Sequence, residues 1–169
     1  MAETVLRALV LSGVILGWAA LAPAAEGDKK VEDGKYFDKD GIPTYNVTAE
    51  GKVDWFTFSG FRRYHSECHV CHGPDGLGST YAPALVDSLK TLDFGTFQEI
   101  TANGRQQTGA SGNSVMPAFG TNRNVMCYLD DLYIYLKARS DNALQRGRPG
   151  QRENQPDANK EYETACMAQ

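Results

Sequence analysis

The feature that most constrains this chain is the stretch Cys68–His72, which reads Cys-His-Val-Cys-His. Two thiols three positions apart, followed at once by an imidazole, form the attachment pattern for c-type haem. The thiols add to the haem vinyl groups as thioethers, and the short loop between them turns the next ring toward the iron. We therefore predict one covalently attached haem c, held by Cys68 and Cys71, with His72 as the proximal iron ligand.

Three other interpretations of the two thiols are weaker. A structural zinc site usually needs a second pair of ligands, and Cys127 and Cys166 lie too far apart in the chain to supply one. A thioredoxin-like redox pair expects alternating strands and helices, and no such alternation surrounds Cys68. A disulfide between Cys68 and Cys71 would leave the glycines of 73–78 unexplained, whereas glycines let the backbone pass close to a flat macrocycle.

The first residues have the form of a secretory signal. Arg7 precedes an apolar run from Ala8 to Leu21, and the small residues Ala22-Pro23-Ala24 follow. The run is shorter than the roughly 20 apolar residues that span a bilayer, so we predict a signal peptide over 1–24 that is removed. A retained membrane anchor is the alternative. Export to the periplasm, with no stable membrane insertion afterwards, fits thioether attachment, which in bacteria follows translocation.

Two longer helices are predicted on either side of the haem motif. The first runs from about Asp54 to Cys68, with Asp54 as its N-cap and aromatic residues at helical spacing. The second runs over Val125–Ala138 and has one apolar face. Gly60 and Tyr64 lie on one face of the first helix, where the missing side chain of Gly60 allows another helix to approach closely beside the Tyr64 ring. We expect this face to meet the apolar face of the second helix.

A third, shorter helix is predicted over Thr96–Asn103, ending at Gly104. The polar segment Gln106–Ser114 has no secondary-structure signal and is predicted as a loop that leads to Met116. A thioether is a soft neutral ligand that favours reduced iron and closes the sixth coordination position. We therefore predict Met116 as the second axial ligand. The other methionines of the mature chain are Met126 and Met167.

Together these motifs resemble a class I cytochrome c. The resemblance is carried by Gly60 with Tyr64, the stretch Cys68–Gly78, Pro83 with Leu85, the Met116-Pro117 pair and Leu132-x-x-Tyr135. A narrower resemblance, from Gly51 to about Gly150, includes Gly-Lys-Val-Asp-Trp, Val-Met-Pro-Ala-Phe-Gly and Asn-Val-Met-Cys-Tyr-Leu. These segments are similar to cytochrome c-L and the methanol-metabolism-related c-type cytochromes, which are periplasmic electron acceptors of PQQ-dependent methanol dehydrogenases.

The resemblance implies an all-α class I fold around one haem, with polar extensions at both ends of the chain. Four segments are then expected. They are the signal peptide 1–24, an N-terminal extension 25–52, the cytochrome c domain 53–139 and a C-terminal tail 140–169.

The resemblance also implies further haem contacts. The Pro83 carbonyl would accept the second ring N–H of His72 and fix its tautomer, with a plain loop proline as the alternative. Tyr81 and Leu85 would line the proximal side. Arg105 would pair with a haem propionate, although a solvated arginine after a helix accounts for it equally well.

Two cysteines, Cys127 and Cys166, remain after haem attachment. In an exported protein they can form a disulfide, since the compartment is oxidising. Such a bond would hold the polar segment 140–160 against the body of the protein. Free buried thiols are the alternative.

The predicted function is that of a one-electron carrier, not an enzyme. A carrier of this kind needs no catalytic acid, base or nucleophile. The resemblance implies a PQQ-dependent methanol or alcohol dehydrogenase as donor and a second cytochrome c or terminal oxidase of the respiratory chain as acceptor. No nucleic-acid partner is expected. The alternatives are a haem peroxidase or gas-binding cytochrome with an open sixth site, and a haem subunit of a larger oxidase complex.

We expect the partner to dock at the exposed haem edge. The net charge of −4 is too small to steer a partner by itself, so the local arrangement of charges matters more. The candidate contacts are Gly76–Tyr81 and Gly112–Thr121, with Asp75, Arg105 and Arg123 as charges at the rim.

Overall fold

The computed structural model describes residues 29–109 and 112–169. Its helices are α1 (Trp55–Glu67), α2 (His69–His72), α3 (Leu85–Ser88), α4 (Phe94–Asn103), α5 (Arg123–Met126), α6 (Leu129–Ser140) and α7 (Asp157–Ala168). Its strands are β1 (Lys30–Glu32), β2 (Lys35–Phe37), β3 (Pro43–Thr44), β4 (Lys52–Val53), β5 (Arg105–Gly109), β6 (Gly112–Met116) and β7 (Gln151–Arg152). The predicted signal peptide 1–24 lies outside the described residues. None of the helices in these ranges is long and apolar enough to cross a membrane.

Helix α1 begins where the sequence predicts. The Asp54 carboxylate accepts hydrogen bonds from the Thr57 N–H (2.8 Å) and the Thr57 hydroxyl (2.5 Å), which satisfies a donor that the first helical turn leaves free. The same carboxylate accepts from the Asn46 N–H at 2.7 Å, so the chain entering the helix is held as well. Trp55 and Phe58 are buried against the core, as their spacing indicates.

The core of the molecule is the crossing of α1 and α6. A Cβ at Gly60 would overlap the Asp131 carbonyl and lie 2.7 Å from the Cβ of Tyr135, so only glycine allows this approach. The Tyr64 and Tyr135 rings then pack with their centroids 5.5 Å apart, and both side chains are fully buried. The predicted contact between the Gly60 face and the second helix is confirmed.

The helix predicted over Val125–Ala138 is interrupted in the structure. Asn122 caps the short helix α5, and Tyr128, with φ −128° and ψ 22°, separates it from α6. The Arg63 guanidinium lies 3.5 Å from the centre of the Tyr128 ring, which accounts for the position of that side chain. The apolar spacing indicated helix on both sides but gave no signal for the break.

The core is helical, but the prediction that the fold is all-α is wrong for the segments around that core. Strands β1, β2 and β3 form an antiparallel sheet in the N-terminal extension, and β5 pairs with β6 in a hairpin. Strand β4 pairs in parallel with β7. These strands are two to five residues long, and their pairing depends on backbone hydrogen bonds more than on an apolar pattern.

The C-terminal tail is attached to the body by backbone pairing, by a side-chain hydrogen bond and by a disulfide. Strand β7 pairs with β4, and the indole N–H of Trp55 donates to the buried Asn159 side chain at 2.9 Å. The disulfide between Cys127 and Cys166 joins α5 to α7, which confirms the predicted pairing. The boundaries of the predicted domain at 53 and 139 stay a prediction.

Candidate haem site

The two candidate attachment thiols lie where α1 gives way to α2. The Cys68 N–H donates to the Tyr64 carbonyl and the His72 N–H donates to the Cys68 carbonyl, each at 2.9 Å. Neither Cys68 nor Cys71 forms a disulfide. Burial raises the pKa of the Cys68 thiol to about 12, and the nearby Glu67 carboxylate adds to this shift. Both sulfurs are therefore available for covalent attachment, one turn of helix from the imidazole.

The His72 imidazole is held in one orientation and one tautomer. Its side chain is buried, and Nδ1 lies 3.0 Å from the carbonyl oxygen of Pro83. A carbonyl can only accept, so Nδ1 carries the proton and donates it, and Nε2 keeps its lone pair. A neutral imidazole with a free Nε2 is the form that binds a metal. The Pro83 contact is the one that the resemblance implies.

The loop after His72 is closed by its glycines and by Tyr64. Gly73 has φ 70°, and a Cβ there would overlap the carbonyl of Gly78. The Tyr64 hydroxyl donates to the Gly73 carbonyl at 2.5 Å and accepts from the Gly76 N–H at 3.0 Å. The spacing of the sequence indicated an aromatic contact for Tyr64, but the role of its hydroxyl was missed.

Asp75 is buried, which contradicts its prediction as a charge at the rim of a docking surface. Its carboxylate accepts from the Gly147 N–H at 3.0 Å, and the Arg146 guanidinium and Tyr135 hydroxyl each lie 3.4 Å away. Burial acts to raise the pKa of Asp75, but the Gly147 N–H, Arg146 and more distant positive groups outweigh it and hold this pKa below its usual value. The side chain therefore ties the haem loop to the C-terminal tail.

Met116 is the last residue of a β-hairpin and does not follow a loop, as was predicted. Strands β5 and β6 pair in antiparallel register from Gly109 opposite Gly112 to Arg105 opposite Met116, so Met116 lies at the base of the hairpin. Its side chain is half-buried, while Val115 before it is exposed. The prediction of a loop over 106–114 is wrong, since a hairpin that is polar except for Val115 and Met116 at the end has no alternating apolar signal.

The remaining predicted contact residues are spread over three segments. Tyr81 is exposed, and Leu85 begins α3 and packs against the core. Arg105 is exposed at the start of β5. Of the two alternative methionines, Met126 packs on the core from α5, and Met167 is partly exposed on α7.

The comparisons with known proteins agree with one another. No family model matches the chain. The chain is similar to cytochrome c-553I of Paracoccus denitrificans, with 54% identity over 138 residues, which are 82% of this chain and 61% of that protein. It is also similar to cytochrome c-555 of Methylococcus capsulatus, with 40% identity over 96 residues, 56% of this chain and 72% of that protein. The crystal structure of the c-type cytochrome XoxG from Methylobacterium extorquens AM1 has a TM-score of 0.76 and 61% identity, over 81% of this chain and 84% of that one.

The chain belongs to the c-type cytochromes.

As a class I cytochrome c, the protein carries covalently attached haem c and is an electron-transfer protein. Its residues fit that cofactor. Two free thiols are suited to thioether attachment of the haem, and an imidazole with an available Nε2 together with a half-buried thioether is suited to bind its iron. Large apolar side chains on the same segments are exposed, namely Val70, Leu77, Tyr81 and Val115. A flat, largely apolar ring covers surface of this kind when it binds.

Proposed function

We propose that this c-type cytochrome is a periplasmic one-electron carrier that takes electrons from a PQQ-dependent methanol dehydrogenase. It passes them to a second cytochrome c or a terminal oxidase of the respiratory chain. The resemblance between Gly51 and Gly150 to cytochrome c-L and the methanol-metabolism-related cytochromes supports this donor. The signal predicted over 1–24 supports the compartment.

The proposed roles of the site residues follow from their chemistry. Cys68 and Cys71 would form the two thioether bonds, His72 would supply Nε2 as the proximal ligand, and Met116 would supply its sulfur as the second iron ligand. The hydrogen bond from His72 Nδ1 to the Pro83 carbonyl is the observation that carries this assignment, because it leaves Nε2 as the one free lone pair on a fixed ring.

When bound, the haem supplies a one-electron couple between ferric and ferrous iron. The polypeptide supplies rigidity. The His72 ring is held in one orientation by its hydrogen bond to the Pro83 carbonyl, and the loop after it is held by the Tyr64 hydroxyl. Met116 is a neutral donor that favours the reduced state. Because the segments that carry His72 and Met116 are fixed by the rest of the chain, both would be held in place as ligands while the iron changes its oxidation state.

The test is rapid mixing of the oxidised holoprotein with a reduced quinoprotein methanol dehydrogenase, followed by absorbance of the haem. We expect fast, concentration-dependent reduction. Ascorbate is the control, because it shows that the haem can accept an electron without a protein partner. Reduction by ascorbate but not by the dehydrogenase would contradict the proposed donor and leave the carrier function intact.

A further inference from the structure

We infer that Gly104 is a positioning residue for Met116, and that the last turn of α4 holds the segment Met116–Gly120 in the place from which the sulfur binds iron. This inference rests on the proposed role of Met116 as an axial ligand. It assigns the geometry of that ligand to a helix end twelve residues earlier in the chain.

Gly104 has a backbone conformation that only glycine adopts readily. It terminates α4 with φ 74° and ψ −179°, and its N–H donates to the Ile100 carbonyl at 2.8 Å. An L-residue in this region of φ and ψ is strained because its Cβ meets its own backbone. A side chain at this position would therefore alter the end of α4, even with open space around it.

The space around Gly104 is not open. A Cβ there would lie 2.6 Å from the carbonyl oxygen of Met116, 2.8 Å from the N of Ala118 and 2.9 Å from the carbonyl carbon of Pro117. All three are backbone atoms, so no side-chain rotation relieves the overlap. The Met-Pro segment thus lies directly against the bare Cα of Gly104, and any added atom displaces it.

Hydrogen bonds fasten the same segment to α4 after the methionine. The Phe119 N–H donates to the Thr101 carbonyl at 3.0 Å, and the Gly120 N–H donates to the Ala102 carbonyl at 2.9 Å. These carbonyls belong to the last turn of α4, where no N–H of the helix remains to donate to them. Before the methionine, the hairpin pairs Met116 with Arg105. The backbone of Met116 is therefore fixed on both sides by residues next to Gly104.

Helix α4 is in turn anchored to the core. The rings of Phe94 and Phe97 pack against Tyr133 of α6, with centroids 4.8 and 5.4 Å away. The buried Thr101 hydroxyl donates to the Phe97 carbonyl at 2.8 Å. A continuous line of packed groups thus connects α6, through α4 and Gly104, to the methionine.

This line of packed groups matters because the Met116 thioether is a neutral donor. Without a charge on the ligand, a larger part of its affinity for iron must come from holding the sulfur in place before it binds, since this removes the entropic cost of ordering it. The end of α4 supplies that order.

The test compares Gly104→Ala with Gly95→Ala, a matched change in the same helix. A Cβ at Gly95 meets only Asp93 Oδ1, at 3.4 Å, so this control should behave as wild type. Methionine ligation to ferric haem gives a weak charge-transfer band in the near infrared. In ferric Gly104→Ala we expect loss of most of this band, together with a lower reduction potential. Cyanide should bind about tenfold faster, the factor that backbone strain of about 1.4 kcal/mol produces in a two-state equilibrium. Covalent haem and far-UV circular dichroism should be unchanged.

Gly120→Ala provides a second measurement, which decides the question if Gly104→Ala does not accumulate. A Cβ at Gly120 would lie 3.0 Å from the Ala102 carbonyl oxygen, so we expect the same changes at smaller size. A wild-type band and cyanide rate in the variant measured would overturn the inference, provided that Met116→Ala lacks the band. If Met116→Ala keeps the band, the ligand assignment itself fails, which is a different outcome.

Discussion

Asp131 is a carboxyl buried at the crossing of α1 and α6, and its ionisation should limit the stability of the protein at neutral pH. Its side chain is 4% exposed, and Oδ2 has no hydrogen-bond partner in the part of the chain that the structure describes. Burial raises the pKa of Asp131 from 3.8 to about 7, against the opposing effects of the Ser59 hydroxyl and Lys35. The carboxylates of Asp130 and Glu163 add to the increase.

The direction of the effect on stability follows from proton binding. Between pH 3.8 and about 7 the folded protein holds a proton on Asp131 that the unfolded chain releases. The free energy of unfolding therefore falls as pH rises through this window and is flat above it. A shift of about 3 units at 1.36 kcal/mol each gives about 4 kcal/mol as the upper size of this loss. Asp131→Asn removes it, so the variant should gain stability relative to wild type as pH rises.

Urea unfolding of wild type and Asp131→Asn, followed by far-UV circular dichroism from pH 4.5 to 8, checks this reasoning. The difference between the two proteins matters, because all other titrating groups cancel in it. Asp130→Asn is the control, since it removes the neighbouring carboxylate and its 2.7 Å contact with Lys35 but keeps the buried group. Burial is the largest cause of the raised pKa, so this variant should keep the pH dependence of wild type in somewhat smaller size. A difference between wild type and Asp131→Asn that does not change with pH would refute the argument.

Three further predictions concern the ligand, the disulfide and the partner surface. Met116→Ala should keep covalent haem, lose the ferric near-infrared band, lower the potential and admit cyanide more readily; a surviving band would move the assignment to another methionine. Alkylation of the denatured, unreduced holoprotein should label no cysteine, and replacing Cys127 and Cys166 by serine should lower the unfolding free energy by up to about 4 kcal/mol in denaturant titrations. Labelling of even one thiol would count against the pairing. The rate of haem reduction by the dehydrogenase should change between low and high salt, since exposed charges are screened over about 10 Å at 0.1 M, and Arg123→Glu should alter that dependence with the haem spectrum intact. A rate indifferent to both would indicate an apolar contact.

The helical core could be predicted because its signals are local. Asp54 precedes a run of aromatic residues at helical spacing, and α1 begins there. Gly104 follows another such run, and α4 ends there. The hairpin that carries Met116 could not be predicted, since its strands are polar except for Val115 and Met116 at the end and are held together by backbone pairing. The tail looked like a loose polar segment because its contacts, such as Trp55 with Asn159, join residues about a hundred positions apart.

The residues of the candidate site also divide into those that the local sequence indicates and those that depend on distant contacts. The thiols and the imidazole form one short motif, Cys68–His72, which suffices to propose them, and the Pro83 carbonyl that the resemblance implies lies only eleven positions after His72. Asp75 was misplaced because an aspartate between a proline and a glycine is typical of an exposed turn. Its burial depends on Tyr135 and Arg146, which only the folded chain brings near.

The contacts of Asp75 also bear on the order in which the protein is assembled. Its partners Tyr135, Arg146 and Gly147 lie 60, 71 and 72 positions further along the chain. Contacts of such long sequence separation form late in folding, because a long stretch of chain must first be closed. We therefore expect the haem loop, which its glycines and Tyr64 close locally, to gain its attachment to the tail in a later step. A protein shortened at residue 139 would lack the Arg146 and Gly147 contacts, and its Asp75 carboxylate would lose most of its hydrogen-bond partners.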